Sequence, residues 1–480
     1  MMQHEAILVI DVGTSKVHAN VIALHDGSPL AEAACAMAWL HPQPGWTEIE
    51  PETLWQAVTA AVAEAIAQLE PGVRLIAVSN SFQGDGFLLA DRDGTPLYNI
   101  IVAMDGRGIP YVNDFAERFG AARFEEILGC ALGPWEPMKY YWFYRNRPEL
   151  IAQTAHVVSV QEYVLSRMGL GYCQDYTLAS RKVMRDYRKN EWSKELCSFV
   201  GLTPEQFDSP IMESGAICGS VRTIGETDLG AELPVIVGAH DCEMGMFGVG
   251  VLPDSRKVLA NVAGTTDHLG MITTRPFDIH GLPCCIYRGP MEGSYVALGA
   301  NSVGSCTTWA VKNLFPERTD YGKTISGLFA ETHFDGTSRV TCTGSIPAAS
   351  GVFHGIDLQT TREELFKALI EGLTYPLQDI CRAMEQIAGG KFDVIRVGNG
   401  GAKSGSWLQL KANLFDTPVE RVRNNEISSV GAAALAAVTL GRYASLQEAQ
   451  VQMVAVADRI DPEPENVLRY AQRVAEWKQL

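Results

Sequence analysis

The order of apolar and polar positions near the start of the chain predicts two strands joined by a short turn. Residues 7–24 read ILVIDVGTSKVHANVIAL, in which Asp11 and the pair Gly13-Thr14 interrupt two apolar runs. This pattern is typical of a β-hairpin whose tip offers backbone N–H groups and a hydroxyl to an anion. Aspartate and glycine are also ordinary turn residues, so a plain hairpin is the simpler interpretation of this segment alone.

A second segment repeats the pattern in the other half of the chain. VLANVAGTTDHLGMIT, residues 258–273, again places a Gly-Thr pair, Gly264-Thr265, between two apolar runs. The recurrence favours an anion site over a plain turn. It also predicts two related domains that face one another across a cleft, although the flanking residues are too diverged to form a sequence repeat.

The length of 480 residues supports this division, because one hydrophobic core stops growing well below that size. The loop at Leu252-Pro253-Asp254 is the candidate boundary, which gives domains of residues 1–250 and 251–480. Residues 111–227 contain the polar, aromatic and helical stretches of an α-rich insertion. The other predicted elements are helices at 51–69, 362–387, 404–415 and 428–441, strands at 75–81, 233–241 and 393–402, and a hairpin turn at Asp93-Gly94.

Charge and cysteine content narrow the class of protein. The formal net charge of −17 argues against nucleic-acid or anionic-membrane partners, because no large positive field is available to collect phosphates. The eleven cysteines lack metal-ligand spacing, and we interpret them as reduced core thiols. No signal peptide is seen, and the small apolar run at 430–441 is too short to span a bilayer. We therefore expect a cytoplasmic protein.

Several residues match the needs of γ-phosphoryl transfer, in which a protein mostly positions reactants and neutralises charge. Asp11, the two Gly-Thr turns and Asp241 supply carboxylates and close backbone donors. Asp241 ends a predicted strand, which is where open α/β sheets bind ligands, although it also suits the N-cap of the following helix.

The segment GNGGA at 398–402 joins a predicted strand to a predicted helix. Its glycines let a flat ligand such as adenine lie close to the backbone, but a tight turn explains them equally well. The chain has neither the G-x-G-x-x-G order of a dinucleotide fold nor a P-loop. An oxidoreductase function, which would need a nicotinamide site, is therefore the least favoured alternative.

Seven segments, taken in order, resemble the motif series of the FGGY carbohydrate kinases over about residues 6–445. They are DVGTSKVHA, SFQGDGFLLAD, AMDGRG, VIVGAHDCEMGMFGVG, NVAGTTDHLG, LIEGLTYPLQDI and the segment from GNGGAKSG to VGAAALAA. Ordered agreement of seven motifs is more specific than any one of them. The resemblance implies an α/β fold of two actin-like (ribonuclease H-like) domains, with ATP and a sugar in the cleft between them.

The resemblance also implies roles for individual residues. Asp241 would be the general base for the sugar hydroxyl, and Asp11 and Asp241 would hold Mg²⁺. The residues implied to contact ATP are Gly13, Thr14, Gly264 and Thr265 at the phosphates and Gly400, Gly401 and Ala402 at the adenosine; those implied to contact the sugar are Gln83, Asp85, Asp105, Arg107 and Asp241. Turn geometry beside glycine, with Asp105 pairing Arg107, is the structural alternative for Asp85 and Asp105.

The chain departs from the family pattern at two positions. His18 stands where an arginine or lysine is usual, and Lys16, two residues earlier on the same strand face, could reach the phosphates instead. Ala103 stands where a pocket tryptophan is common, and Trp135, Lys139, Tyr140 and Tyr141 could refill that space, although an aromatic run on a helix is more often core.

Together these observations predict an ATP- and Mg²⁺-dependent kinase that phosphorylates a small ketose, either a deoxyketose or a pentulose, or a polyol. The alternative keeps the fold without sugar phosphorylation, as a nucleotide-binding regulatory protein or an ATPase, and His18 and Ala103 motivate it. The expected partners are ATP and a small sugar or polyol, and a homodimer is possible.

Overall fold

The computed structural model describes residues 4–344 and 350–480 of the chain. Its first half contains fourteen strands, nine α-helices, two 3₁₀ turns at Gly106–Tyr111 and Pro204–Phe207, and one π turn at Ala116–Gly120. The strands are β1 (His4–Val12), β2 (Lys16–Ala23), β3 (Pro29–Ala36), β4 (Glu48–Ile49), β5 (Val73–Phe82), β6 (Phe87–Ala90), β7 (Ile100–Ile101), β8 (His156–Ser159), β9 (Gln174–Asp175), β10 (Arg185–Asp186), β11 (Glu191–Trp192), β12 (Ile211–Met212), β13 (Ile217–Ile224) and β14 (Thr227–His240). The helices are α1 (Pro51–Ala67), α2 (Val112–Phe115), α3 (Ala121–Leu128), α4 (Glu136–Asn146), α5 (Pro148–Gln153), α6 (Val160–Arg167), α7 (Tyr176–Arg181), α8 (Lys194–Phe199) and α9 (Asp241–Gly248).

The described residues of the second half form nine strands, seven α-helices and a 3₁₀ turn at Gly400–Lys403. The strands are β15 (Val258–Ala263), β16 (Asp267–Thr273), β17 (Cys285–Arg288), β18 (Tyr295–Asn301), β19 (Thr341–Thr343), β20 (Val352–His354), β21 (Val394–Gly398), β22 (Val419–Val422) and β23 (Val456–Ile460). The helices are α10 (Val303–Leu314), α11 (Tyr321–Glu331), α12 (Arg362–Ala388), α13 (Gly405–Phe415), α14 (Ile427–Thr439), α15 (Leu446–Met453) and α16 (Pro464–Trp477).

The two halves are built on sheets of the same connectivity. In the first sheet the order is β14-β5-β1-β2-β3, with the first three strands parallel and the others antiparallel to their neighbours. The second sheet repeats this arrangement as β22-β21-β15-β16-β18. We call the parts built on these sheets the first and second lobes. The repeat confirms the predicted pair of actin-like α/β domains.

Helices α9 and α14 pack against each other between the lobes at very short range. A Cβ atom on Gly248 would lie 1.8 Å from the carbonyl oxygen of Ile427, and one on Gly431 would lie 1.9 Å from a backbone oxygen of α9. The side chain of Asn20 in β2 donates a hydrogen bond to Ser429. Apolar residues of both lobes therefore share one core cluster. Small residues dominate α14 because larger ones would prevent this approach.

Most predicted elements lie where the pattern placed them, including the helices at 51–69, 362–387, 404–415 and 428–441. The predicted α-rich insertion at 111–227 contains helices α2 to α8, but β13 at its end joins the first sheet, so that part of the prediction was wrong. Residues 249–257, between α9 and β15, connect the lobes and include the candidate boundary. The division into 1–250 and 251–480 stays a prediction.

All eleven cysteines are free and eight of them are buried, in agreement with the predicted core thiols. Over residues 4–344 and 350–480, no helix combines the length and the apolar character needed to cross a membrane.

Candidate active site

Two of the predicted carboxylates lie at one edge of the first sheet. Asp11, near the end of β1, pairs with Ser81 of β5, and Ala239 of β14 lies beside Ser81 on the other side. Asp241 follows two residues later as the first residue of α9. Because carboxyl ends of parallel strands meet at one edge, the structure brings Asp11 and Asp241 to the same place. The N-cap of α9 is His240, so the interpretation of Asp241 as that N-cap was wrong.

The surroundings of Asp11 favour its protonated form. Burial raises the pKa of Asp11 to about 8; the Ser81 hydroxyl opposes this shift, and the carboxylates of Asp241 and Glu426 add to it. The Oδ1 atom of Asp11 is buried without a hydrogen-bond partner among the described residues. Mg²⁺ prefers carboxylate oxygens, so an unpaired buried oxygen beside two further carboxylates fits that ion. The residues present therefore suit the predicted Mg²⁺ site, with Glu426 as an additional carboxylate.

A charged histidine holds Asp241. The Nε2 atom of His240 lies 3.0 Å from Asp241 Oδ1, and its Nδ1 atom contacts Glu243. Burial lowers the pKa of His240, but the two carboxylates outweigh burial and raise the pKa to about 10. Burial alone would raise the pKa of Asp241. The imidazolium of His240 outweighs burial and holds that pKa below its usual range. At neutral pH Asp241 is therefore ionised, and its side chain is 30% exposed.

The second lobe reaches the same site through His268 on β16. Burial lowers the pKa of His268 to about 4, and the nearby Asp241 carboxylate opposes that shift. His268 is therefore neutral at pH 7. Among the described residues, His240, Asp241 and Cys242 also offer ligand atoms within 4.8 Å of one another. Burial raises the pKa of the Cys242 thiol and both His240 nitrogens face carboxylates, so this group suits a metal poorly.

Both Gly-Thr pairs form the tips of hairpins, as predicted. The Gly13 N–H donates to the carbonyl oxygen of Lys16 over 3.0 Å in the first lobe. In the second lobe the Gly264 N–H donates to Thr266 over 3.0 Å, and the Ser305 N–H at the start of α10 donates to Thr265. The turns thus occupy corresponding positions in the two sheets. Their contact with phosphates, through Thr14 and Thr265, stays a prediction.

The unusual His18 lies opposite Asp11 in the β1–β2 hairpin. Its Nδ1 atom is 3.7 Å from a carboxylate oxygen of Glu426 at the N-terminal end of α14. Lys16 is exposed on the same face of β2. At position 18, where the family usually has an arginine or lysine, this chain therefore has a half-buried imidazole beside the carboxylates of Asp11 and Glu426.

A cavity of about 550 Å³ in the second lobe is lined by some of the residues predicted to contact ATP, and nucleotide binding there stays a prediction. Gly264, Gly400 and Gly401 line it, whereas the Ala402 side chain lies behind them in the core. A Cβ atom on Gly401 would lie 2.6 Å from that of Ala263, so glycine is required there. Further lining residues come from α11 and α13: Ile325, Ser326, Phe329 and Trp407. The volume falls in the range of small-molecule sites.

Gln83 and Asp85 lie after β5, close to His240. Both side-chain amide atoms of Gln83 and the Oδ1 atom of Asp85 are buried and find no partner in the part of the chain that the structure describes. Asp85 has a left-handed backbone, with φ of 60°, and its other oxygen pairs with Arg181. A Cβ atom on Gly84 would lie 2.8 Å from Arg181 Nε and 2.9 Å from His240 Nε2. Because buried polar groups are normally hydrogen bonded, this cluster is the part of the first lobe most suited to a polar ligand.

Asp105 and Arg107 form a separate network in which the carboxylate is fully hydrogen bonded, although Arg107 Nη1 is buried without a partner among the described residues. Asp105 Oδ1 accepts from the backbone and side chain of Arg107, and Oδ2 accepts from the Thr47 N–H over 2.7 Å. Arg107 also pairs with buried Glu48 and lies 4.3 Å from the ring centroid of Trp46. Both oxygens of Asp105 are thus occupied, which agrees with the structural alternative. Sugar contact by Asp105 and Arg107 stays a prediction.

The aromatic run on α4 is mainly core. Tyr140 and Tyr141 are buried, and Lys139 donates to the carbonyl oxygens of Val102 and Ala103 and to Glu136. Lys139 thereby holds the backbone at Ala103, the position where a tryptophan is common in the family. Tyr140 and Tyr141 thus agree with the core alternative, whereas Trp135 is half-buried and its Nε1 donates to the carbonyl oxygen of Ala131.

Four residues near the site were not predicted from the sequence: Arg181, His240, His268 and Glu426. The position of His240 directly before the candidate base is a signal that the sequence does contain. Arg181 gave no comparable signal, because it is 96 residues from its partner Asp85.

Comparisons with known proteins agree with this geometry. The models of the N-terminal and C-terminal domains of the FGGY family of carbohydrate kinases match residues 6–248 and 259–440. A xylulose kinase of Bacillus subtilis is 26% identical, covering 97% of this chain and 94% of its own length. A glycerol kinase of Bacillus velezensis is 25% identical, covering 91% and 90%.

Among solved structures, a gluconate kinase from Lactobacillus acidophilus superposes with a TM-score of 0.85 at 20% identity, over 99% of this chain and 97% of that one. The three names denote three classes of acceptor, so they do not select one. The chain belongs to the FGGY family of carbohydrate kinases and is an ATP- and Mg²⁺-dependent phosphotransferase.

Proposed function

We propose that the protein transfers the γ-phosphoryl group of ATP to a hydroxyl of a small neutral ketose or polyol, with a pentulose or deoxyketose as the preferred class. The observation that carries the proposal is Asp241, an ionised carboxylate held by His240 at the edge where both lobes meet. The relatives named xylulose kinase and glycerol kinase support the acceptor class.

In this proposal Asp241 removes the proton of the attacking hydroxyl. The hydroxyl oxygen forms a bond to the γ-phosphorus while the bond from that phosphorus to the bridging oxygen breaks, and ADP leaves. The imidazolium of His240 keeps Asp241 ionised before the reaction and orients it. His240 acts through Asp241 and is a positioning residue.

The nucleotide would occupy the second-lobe cavity, with its adenosine beside Gly400 and Gly401 and its phosphates toward the two Gly-Thr turns. Asp11 and Asp241 would hold Mg²⁺, and that ion, when bound, neutralises phosphate charge. Packing of α9 against α14 joins the lobes at the site, so a change in their relative position would also change access of water.

Acceptor-dependent release of ADP, measured over a panel of ketoses, polyols and aldonates, tests the proposal. We expect turnover with a neutral acceptor and a fall in kcat of about 10²- to 10⁴-fold in Asp241→Asn, because the base is lost. Thermal stabilisation by ADP should be retained in that variant. Asp228→Asn, an exposed carboxylate paired with Arg222, is the control and should keep wild-type turnover.

Two results would contradict the proposal. Near-normal turnover in Asp241→Asn would remove the assigned base. Release of ADP that no member of the panel accelerates would favour an ATPase of the same fold.

A further inference from the structure

Arg181 is a buried arginine whose hydrogen bonds are incomplete. It ends α7, a helix whose N-cap Asp175 accepts hydrogen bonds from Thr177 and Leu178 and thereby fixes its direction. One guanidinium nitrogen, Nη2, pairs with Asp85 Oδ2, whereas Nε is buried and has no partner within residues 4–344 and 350–480. Asp85 Oδ1 is buried and unpaired within the same ranges. The pair thus presents one free donor and one free acceptor.

The free donor lies beside the residue that holds the proposed base. The Nε atom of Arg181 and the Nε2 atom of His240 both flank Gly84, at 2.8 Å and 2.9 Å from where a Cβ would be, so only glycine fits between them, and Asp85 follows it directly in the chain. His240 Nε2 is in turn 3.0 Å from Asp241. A small acceptor whose reacting hydroxyl contacts Asp241 would therefore place another part of its chain beside the Asp85–Arg181 pair.

The charge of this region selects against an anion. The positive charge of Arg181 is already paired with Asp85 and that of His240 with Asp241 and Glu243, and Glu136 also interacts electrostatically with Arg181. A carboxylate ligand would meet the negative charge of these groups, whereas a hydroxyl can accept from Nε–H and donate to Asp85 Oδ1 at once. The donor and acceptor therefore match a neutral hydroxyl.

We infer that Arg181, with Asp85, is a specificity-determining residue that binds a non-reacting hydroxyl of a neutral acceptor and disfavours sugar acids. The inference rests on the proposed function and adds to it a substrate class and a residue. The guanidinium carbon of Arg181 lies 4.6 Å from the ring centroid of Tyr287 on β17. A ring of the second lobe therefore supports the arginine of the first lobe that would contact the hydroxyl. Recognition of that hydroxyl therefore depends on the relative position of the lobes.

The test compares Arg181→Met with wild type on the best neutral acceptor of the panel and on its monodeoxy analogues. In wild type, one deoxy analogue should lose about 10- to 100-fold in kcat/KM, the range expected for a hydrogen bond to a charged group. In Arg181→Met the parent acceptor should lose about as much, mainly through KM, and the same deoxygenation should then have little further effect. A structural role alone would not remove this dependence on one hydroxyl.

Arg185→Met is the matched control. Arg185 is also buried, and its guanidinium carbon lies 4.7 Å from the ring centroid of Trp192, but it hydrogen bonds to Asn190 and not to Asp85. It should keep the full deoxygenation penalty. Arg181→Lys serves for the same cycle if Arg181→Met does not fold, because lysine keeps the charge and lacks Nε. We also expect wild type to use an aldonate at least about 100-fold less efficiently than a neutral polyol of equal length.

The inference is overturned if every deoxygenation reduces kcat/KM by the same factor in wild type and in the Arg181 variant, or if the aldonate is the better acceptor. Either result leaves the proposed phosphoryl transfer intact. Absence of turnover with every acceptor would instead overturn the proposed function and this inference with it.

Discussion

Two buried arginine–aspartate pairs of the first lobe are similar in outline and differ in how completely they are hydrogen bonded. In each, the aspartate lies beside glycine and the guanidinium lies over an aromatic ring, Trp46 for Arg107 and Tyr287 for Arg181. Among the described residues each arginine has one buried unpaired nitrogen, Nη1 of Arg107 and Nε of Arg181, but Asp105 uses both of its carboxylate oxygens whereas Asp85 Oδ1 is unpaired. We call the first pair closed and the second open: a fully bonded carboxylate stabilises the fold, and an unpaired one is available to a ligand.

The backbone gives a reason for the difference. Asp105 is the N-cap of the 3₁₀ turn Gly106–Tyr111 and reaches Arg107 two residues away. Asp85 has a left-handed backbone, which is strained for a residue other than glycine, and it reaches an arginine on a distant helix. Strain and unpaired polar atoms at one position are more usual in functional sites than in structural ones.

Replacing one member of the closed pair should have the largest effect. Arg107→Met leaves Asp105 and Glu48 buried without their cation, and we expect the free energy of unfolding to fall by about 3–5 kcal/mol. Urea denaturation of the full chain measures this. Arg222→Met, which breaks an exposed pair with Asp228, should lower it by less than about 1 kcal/mol. Unchanged stability together with a raised KM for the acceptor would instead identify Arg107 as a sugar contact.

Removing both members of each pair sharpens the comparison. For the open pair, Asp85→Asn with Arg181→Met should leave stability close to that of wild type, because loss of a whole buried ion pair is often neutral and asparagine tolerates a left-handed backbone. Its kcat/KM should fall about 100-fold, roughly 2.7 kcal/mol. Asp105→Asn with Arg107→Met should show the reverse, with lower stability and little change in KM, because it leaves the buried Glu48 carboxylate without its cation. Equal losses of stability in both double variants would contradict the distinction.

Local patterns were sufficient for the fold and for part of the site. Asp11, Asp241 and the Gly-Thr turns lie at strand ends, and period-2 apolar runs locate strand ends in a sequence. The helices α10 and α11, whose residues line the second-lobe cavity, were not predicted. The predictions assigned no element between residues 274 and 361.

The open pair could not be predicted, because its contacts join elements far apart in the chain. Asp85 follows β5, Arg181 ends α7 and Tyr287 lies in the other lobe. The pair Asp105 and Arg107 was visible in AMDGRG because its members are two residues apart. The closed pair was predicted because its members are neighbours in the sequence. The open pair depends instead on how β17 packs against α7.

Glu136 is a third buried carboxylate that can be compared with Asp105 and Asp85. Its replacement gives the smallest expected effect on stability. Its Oε1 atom accepts from Lys139 over 2.9 Å, and its Oε2 atom is buried without a partner. Burial raises the pKa of Glu136 to about 7, with Lys139 opposing and Asp85 adding to the shift. Between pH 4.5, the ordinary pKa of this carboxyl, and pH 7 the folded protein therefore holds a proton that the unfolded chain releases.

Because the folded protein holds this extra proton, its stability falls as the pH rises. As pH rises through this window, wild type should lose stability relative to Glu136→Gln, which is neutral throughout, on the order of 1–2 kcal/mol between about pH 5 and pH 7. Urea denaturation at several pH values measures the difference, and the exposed Glu117→Gln should show no such trend. In an Asp85→Asn background the loss should end at lower pH, because one charge that raises the pKa of Glu136 is gone. Parallel pH profiles of wild type and Glu136→Gln would show that Lys139 satisfies Glu136 as completely as Arg107 satisfies Asp105.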